Sequence, residues 1–199
     1  MIQSKDLFDK YNDIYTQSFV LHPHESGDGY NITLTENDLT AGLRKLVINN
    51  VPKNTSLIAL QQYSDLGLGN KMKSILNDAP GIFKCCDYLI ITIVDNKLHL
   101  IFVEIKSEKI NPSDIIKQFK GASCFIDYCN SIMEYFYNSS PLQVSNLNPR
   151  YVLISGKKLN KTSTKQKRFG AHSSPEIFNH CKVSVDNNKT ASITFGKLL

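Results

Sequence analysis

Residues 87–106 read DYLIITIVDNKLHLIFVEIK, and the predicted fold is built around them. It consists of two β-rich runs, Asp87–Val94 and Lys97–Ile105, joined by Asp95-Asn96, a dipeptide typical of the two-residue turn of a β-hairpin. Successive positions of each run are apolar, so both faces of the hairpin have to be buried. The sequence therefore predicts two central strands that are covered on both sides.

The turn determines which residues of the hairpin face each other. If Asp95-Asn96 forms the turn, Val94 pairs with Lys97. Asp87 then lies directly opposite Glu104, where Cβ atoms are about 4.5–5.5 Å apart and like charges are destabilising. A divalent cation would remove that cost, because hard ions such as Mg²⁺ often bind to one or two carboxylates. A carboxyl pair that shares one proton is the alternative interpretation of the same two residues.

Lys106 follows Glu104 by two residues, and the two-residue period of a strand puts both side chains on one face. An ammonium group there can order a nucleophilic water or neutralise charge that develops on a phosphate. The presence of this lysine favours the metal interpretation over the shared proton. The argument depends on the register, because a slip of one residue would turn Asp87 to the other face.

Further elements are predicted before the hairpin. Polar residues at 35–40 are typical of a helix start, and Leu39, Leu43, Leu46 and Val47 would form one side of an amphipathic helix ending before Pro52. Ser56–Tyr63 and Lys71–Leu76 indicate two more short helices.

After the hairpin, Pro112-Ser113-Asp114 starts a long helix that continues to about Tyr137. Arg150–Ser155 reads as a strand that ends at Gly156. Lys182–Val185 and Ala191–Phe195 read as a terminal hairpin. The element order predicts a mixed α/β class, in which a mixed sheet is flanked by helices.

Asp87 followed by Glu104-Ile105-Lys106 at the end of an apolar strand, and then by a helix and another strand, resembles the PD-(D/E)xK nuclease superfamily. The resemblance implies a restriction-endonuclease-like core at about 35–155 within a single domain over 1–199. A basic loop (156–170) and the C-terminal hairpin (182–195) would be additions to that core. Cys86 replaces the proline of the motif. Ala122 stands where exonuclease-like members have a tyrosine, which favours an endonuclease.

The resemblance also assigns roles to individual residues. Asp87, Glu104 and the Ile105 carbonyl would bind Mg²⁺, or Mn²⁺ as a substitute, and Lys106 would be the catalytic base or charge stabiliser. Many members add an acid from the preceding helix, a role that fits Glu36, with Asp38 as the alternative. Gln118, on the helix after Glu104-Ile105-Lys106, matches a glutamine that members often carry.

The charge is unevenly distributed. Residues 1–134 hold 13 basic and 16 acidic side chains, whereas residues 135–199 hold 10 basic and 2 acidic ones. Such asymmetry suggests that the basic part faces a polyanion. The candidate nucleic-acid contacts lie in an acid-free stretch: Arg150, Lys157, Lys158, Lys161, Lys165, Lys167 and Arg168. A solvated basic loop is the alternative explanation.

Composition excludes several classes of protein. With 199 residues, 41% of them hydrophobic, the chain can bury a core, and its longest apolar runs are far shorter than the roughly 20 residues of a membrane span. Five cysteines without CxxC spacing argue against a disulfide scaffold, and the N-terminus lacks the pattern of a signal peptide. We therefore expect a cytoplasmic protein without a membrane partner.

Together these features predict a metal-dependent nuclease that hydrolyses nucleic-acid phosphodiester bonds, with DNA as the expected substrate. By analogy with the superfamily, it would act in restriction or anti-phage defence. A homodimer or a partner subunit is compatible with that role. Two alternatives remain: a non-catalytic nuclease-fold protein that holds nucleic acid or a partner, and a protein-interaction subunit whose charges are surface features.

Overall fold

The hairpin at residues 87–106 lies in the middle of the larger of two β-sheets in the computed structural model. The structure describes residues 5, 8–9, 12–13, 20–27, 29–36, 38, 40–60, 84–107, 110–137, 149–158 and 174–199. The helix predicted at Lys71–Leu76 lies outside the described residues.

The described residues form ten strands and one long helix, α1 (Pro112–Tyr137). The strands are β1 (Val20–Leu21), β2 (His24–Ser26), β3 (Gly29–Thr35), β4 (Lys45–Val51), β5 (Thr55–Ala59), β6 (Tyr88–Val94), β7 (Lys97–Lys106), β8 (Pro149–Lys158), β9 (Asn179–Val185) and β10 (Thr190–Thr194).

The larger sheet has the order β1-β5-β6-β7-β8-β9 and the smaller one the order β10-β4-β3-β2. Both are mixed. In the larger sheet, neighbours are antiparallel as far as β7, and β7, β8 and β9 run parallel. Helix α1 connects β7 to β8, as parallel neighbours require a crossover. The mixed α/β class predicted from the sequence is confirmed.

The hairpin has the predicted turn and register. Asp95 and Asn96 both have positive φ, 50° and 58°, as the favoured two-residue hairpin turn requires. Val94 pairs with Lys97, and the ladder continues without a slip to the other end of β6. Each face of the hairpin packs against a separate hydrophobic cluster, so its burial on both sides is confirmed.

Alternation along the strands defines two faces of the larger sheet. Ile90 and Val103 belong to the cluster that includes residues of the smaller sheet. Leu89 and Phe102 belong to the cluster that includes the inner side of α1. That inner side is the one predicted, with Ile115, Phe119, Ala122, Ile126 and Cys129 all buried.

The helix predicted to start at residues 35–40 and to end before Pro52 is wrong, because the chain forms strand β4 at Lys45–Val51. Leu46 and Ile48 are buried and Val47 between them is less so, which is the two-residue period of a half-buried strand. Pairing with β3 and β10 overrides the helical spacing of the leucines. The helix predicted at Ser56–Tyr63 is also wrong where the structure describes it, because Ser56–Ala59 belong to strand β5. All five residues of β5 are buried.

Gly156 does not end β8, which continues to Lys158. A Cβ at this position would lie 2.8 Å from Val185 Cγ2 and 3.0 Å from Leu43 Cβ. The glycine therefore allows close packing inside the strand rather than terminating it.

The predicted terminal hairpin has correctly placed strands but the wrong pairing. Strand β9 pairs with β8 in the larger sheet, whereas β10 pairs with β4 in the smaller one. The turn between them is closed by Asp186, whose Oδ1 accepts the N–H groups of Asn188 and Thr190. It carries the chain from one sheet to the other. Among the described helical residues there is no helix long and apolar enough to cross a membrane.

Candidate metal centre

Asp87 and Glu104 meet at the open end of the central hairpin. Asp87 directly precedes β6, and its N–H donates to Glu104 Oε2 at 3.2 Å. In return, the N–H of Ile105 donates to Asp87 Oδ2 at 2.7 Å. Each carboxyl group thus accepts a backbone N–H from the opposite segment, and the two side chains face each other as the register predicted.

Both carboxyl groups are buried, Asp87 at 6% exposure and Glu104 at 0%. By strand alternation they lie on the α1 side of the sheet, in line with Phe102. Glu104 stands near the carboxyl end of β7, the first of three parallel strands. The carboxyl ends of parallel strands are where open α/β sheets usually bind ligands.

Burial raises the pKa of both carboxyl groups. For Asp87 the loss of water outweighs the hydrogen bond from Ile105 and the attraction of Lys106, and the charge of Glu36 raises the pKa further. For Glu104 burial is again the largest cause, followed by repulsion from Asp87. The protein therefore holds two carboxylates where their charge is unfavourable, a situation typical of functional sites.

Lys106 is half-buried beside this pair and forms an ion pair with Glu104 Oε1. Burial lowers the pKa of Lys106, but the contact with Glu104, together with Asp87 and Glu36, outweighs it and leaves the pKa raised. The Lys106 side chain is therefore protonated in the metal-free protein. Apart from this ion pair, Glu104 Oε1 is buried without a hydrogen bond from any described donor.

Gln118 reaches the same centre from α1. Its side chain hydrogen-bonds with the Glu104 carboxyl group, which favours the ionised form and acts against the raised pKa. Its neighbour Phe119 is buried in the cluster between α1 and the sheet, so the helix is firmly seated at this point. The structure thus brings Gln118 together with Asp87, Glu104 and Lys106.

Glu36 is near the centre, but not on a helix. It follows β3, its N–H donates to the Arg44 carbonyl at 2.9 Å, and its Oε1 accepts the N–H of Asp38 at 3.1 Å. Its charge still contributes to the raised pKa values of Asp87 and Lys106. Within the described ranges, no three His, Cys, Asp or Glu side chains form a group that could hold a metal ion.

Asp38, the alternative to Glu36, is exposed and serves the local turn. Its Oδ1 accepts the N–H of Thr40 at 2.8 Å and contacts the Thr40 hydroxyl at 2.7 Å. These hydrogen bonds, with the hydroxyl contact the largest cause, lower the pKa of Asp38.

Tyr88 fixes the position of Glu36 relative to Asp87. The Tyr88 hydroxyl donates to the Thr35 carbonyl at 2.6 Å and accepts the Thr35 N–H at 3.1 Å. The residues next to Asp87 and Glu36 are thereby tied together across the two sheets. Sequence reasoning missed this link, because contacts between separate sheets leave no local pattern.

Gly121 brings the backbone of α1 against the segment that leads into Asp87. A Cβ at Gly121 would clash with the carbonyl oxygen of Lys84. The Lys84 ammonium group also forms an ion pair with Asp114, in the first turn of α1, at 3.2 Å. Two contacts therefore fix the chain before Asp87 to the helix that carries Gln118.

The predicted nucleic-acid contacts are placed only in part. Lys157 and Lys158 are the last residues of β8 and pair with Ser184 and Val185 of β9. Arg150 hydrogen-bonds instead with the carbonyl groups of Leu199 and Pro149, at 3.1 and 3.2 Å. Lys161, Lys165, Lys167 and Arg168 lie outside the described residues.

Comparison of the chain with family models, with curated proteins and with solved structures gave no match. The chemistry of the centre therefore rests on its own residues. Asp87 and Glu104 supply the hard oxygen ligands that Mg²⁺ prefers, and both carboxyl groups are buried where their charge is unfavourable. The donor set fits a divalent cation.

Proposed function

We propose that this protein is a Mg²⁺-dependent endonuclease of the PD-(D/E)xK type, which hydrolyses phosphodiester bonds in DNA. The observation that carries the proposal is the buried pair of opposed carboxyl groups, Asp87 and Glu104, with Lys106 at their side. Two ionised carboxylates are unfavourable at this buried position, and a bound divalent cation would remove that cost. The order of hairpin, helix α1 and parallel strand β8 supports the same family.

The metal ligands are Asp87, Glu104 and the carbonyl group of Ile105, with Glu36 as the additional acid. Mn²⁺ would substitute for Mg²⁺, since both prefer oxygen ligands. When bound, the cation lowers the pKa of a water molecule and stabilises negative charge on the phosphate. Glu36 is held near by the Tyr88–Thr35 hydrogen bonds, which supports its inclusion.

Lys106 acts as the catalytic base or as the charge stabiliser. In the metal-free protein the contact with Glu104, together with Asp87 and Glu36, outweighs burial and raises the pKa of Lys106, which favours the charge-stabilising role. It is positioned to hold a phosphate oxygen next to the carboxyl pair. Gln118 orients Glu104 through its hydrogen bond. We place this activity in the cytoplasm and in a defence role, with a homodimer or partner subunit as its setting.

The test is cleavage of plasmid DNA with Mg²⁺ or Mn²⁺. We expect Glu104→Ala and Lys106→Ala each to abolish cleavage while both variants stay folded, as shown by circular dichroism. Lys97→Ala, an exposed lysine at the turn of the same hairpin, is the matched control and should cleave like the wild type. Retained cleavage in both site variants would overturn the proposal. DNA binding by the wild type without cleavage would favour the non-catalytic alternative.

A further inference from the structure

A row of polar side chains continues the metal centre across the parallel strands. In the register of β7, β8 and β9, Lys106 pairs with Ser155, and Ser155 pairs with Lys182. Neighbouring strands are about 4.8 Å apart, so the Cα atom of Lys182 lies about 10 Å from that of Lys106. The row starts at the carboxyl end of β7 and crosses β8 and β9 three residues before each of those strands ends.

Packing shows that β9 contributes to the same face as Glu104. Phe178, just before β9, packs against Phe119 of α1 with ring centroids 5.7 Å apart. Cys181 belongs to the cluster on the opposite face. Strand alternation therefore places His180 and Lys182 on the α1 side, with Glu104 and Lys106.

Ser155 and His180 form a fixed pair in this row. Ser155 is only 6% exposed, and its Oγ lies 2.7 Å from His180 Nε2. Burial and the nearby Lys182 lower the pKa of His180, so the imidazole is neutral at neutral pH. A hydroxyl and a neutral imidazole have two polar protons between them, and their mutual hydrogen bond uses one. The proton that remains is the Ser155 hydroxyl proton if Nε2 donates, or the Nδ1 proton if the hydroxyl donates.

We propose that Ser155, His180 and Lys182 form a phosphate-binding subsite beside the metal centre, which takes a nearby phosphodiester of the same DNA strand that is cut. The inference rests on the proposed function for its choice of ligand. The Ser155–His180 pair donates a hydrogen bond and Lys182 supplies the charge, the combination that proteins use on phosphate oxygens. The acidic Glu176, which precedes β9, is already paired with Lys120 at 2.7 Å.

The spacing of the row suits a nucleic-acid strand. Successive phosphates rise by about 3.4 Å along each strand of a duplex, so the roughly 10 Å between Lys106 and Lys182 corresponds to a few nucleotides. A single mononucleotide would reach only part of the row. The subsite would therefore favour polymeric DNA and hold it in register with the carboxyl pair.

The experiment measures binding of a short fluorescein-labelled DNA duplex, and of its single strand, by fluorescence anisotropy without divalent cations. We expect Ser155→Ala and Lys182→Ala each to raise the Kd about tenfold, the loss expected for one hydrogen bond to a charged group. Lys182→Ala should also reduce the slope of log K against log salt by about one. Ser192→Ala and Lys97→Ala are matched controls at exposed positions away from the row and should bind like the wild type.

The outcomes separate this inference from the proposed function. Unchanged DNA affinity and salt slope in both variants, or no DNA binding by the wild type, would overturn the subsite. Weakened binding in both variants, with a wild type that does not cleave, would support the subsite and overturn the nuclease assignment. Because Lys182 is exposed, its replacement keeps the test valid even if Ser155→Ala impairs folding.

Discussion

Replacement of Asp87 by asparagine should make the metal-free protein more stable. The change removes one of two buried charges, and the amide oxygen can still accept the N–H of Ile105, a bond of 2.7 Å in the wild type. Burial and the charge of Glu36 outweigh the favourable contacts of Asp87 and raise its pKa. The charged side chain therefore destabilises the folded state at neutral and higher pH.

The size and sign of the effect follow from linkage. A carboxyl group whose pKa is raised on folding binds its proton more tightly in the folded state, so stability falls as pH rises from about 4 through the raised pKa. Each unit of that rise corresponds to about 1.4 kcal/mol, and we expect Asp87→Asn to gain about 1–3 kcal/mol at about pH 8. The gain should shrink at about pH 5, where the wild-type carboxyl group is partly protonated.

Urea unfolding at both pH values measures the gain, and thermal unfolding with added Mg²⁺ tests the metal site. Mg²⁺ should stabilise the wild type but not Asp87→Asn, because only the folded wild type offers both carboxylates. Glu134→Gln removes an exposed acid of α1 and should behave like the wild type. A less stable Asp87→Asn, or a gain independent of pH, would refute the reasoning about burial. Equal Mg²⁺ stabilisation of both proteins would show that Asp87 is not a ligand.

Two other predictions concern the groups that position the centre. Gly121→Ala should lower the free energy of unfolding by about 1–3 kcal/mol and weaken the Mg²⁺ stabilisation, because its methyl group forces α1 away from Lys84. Gly196→Ala is the control in the same urea titration, since a Cβ there meets nothing within 4 Å. Equal stability of the two variants would contradict the argument. Tyr88→Phe should lower the free energy of unfolding by about 1–3 kcal/mol, since it removes a hydrogen bond of 2.6 Å to the Thr35 carbonyl and one of 3.1 Å from the Thr35 N–H. Tyr30→Phe loses only an exposed hydrogen bond to Glu25 and should lower the free energy of unfolding by less. The reverse order would argue against the link between Tyr88 and Thr35.

The sequence predicts the local parts of the structure well. The Asp95-Asn96 turn sets the register of the hairpin, and the register alone places Asp87 opposite Glu104. The sequence also predicts helix α1 and which of its sides is buried, because its apolar spacing and its start at Pro112 are both local signals. In each case the residues that decide the structure are close together in the chain.

Long-range pairing explains the errors. Leu39, Leu43 and Leu46 have helical spacing, but strand β4 forms because β3 lies on one side of it and β10 on the other. Strand β10 begins at Thr190, far along the chain, and no local pattern indicates that it pairs with β4. The same limit hides the Tyr88–Thr35 bonds and the Ser155–His180 pair, each of which joins distant segments.

The acidic and the basic parts of the sequence meet where β7 pairs with β8. The acidic part of the chain ends with α1 and supplies Asp87 and Glu104, whereas β8 and β9 belong to the basic part. The parallel pairing of Lys106 with Ser155 joins the two parts directly. A bound cation would neutralise the carboxyl pair on one side of this contact, and a phosphate oxygen would need donors and positive charge on the other. A polyanion bound along the row from Lys106 to Lys182 would therefore lie over Lys182 while one of its phosphates reaches the carboxyl pair.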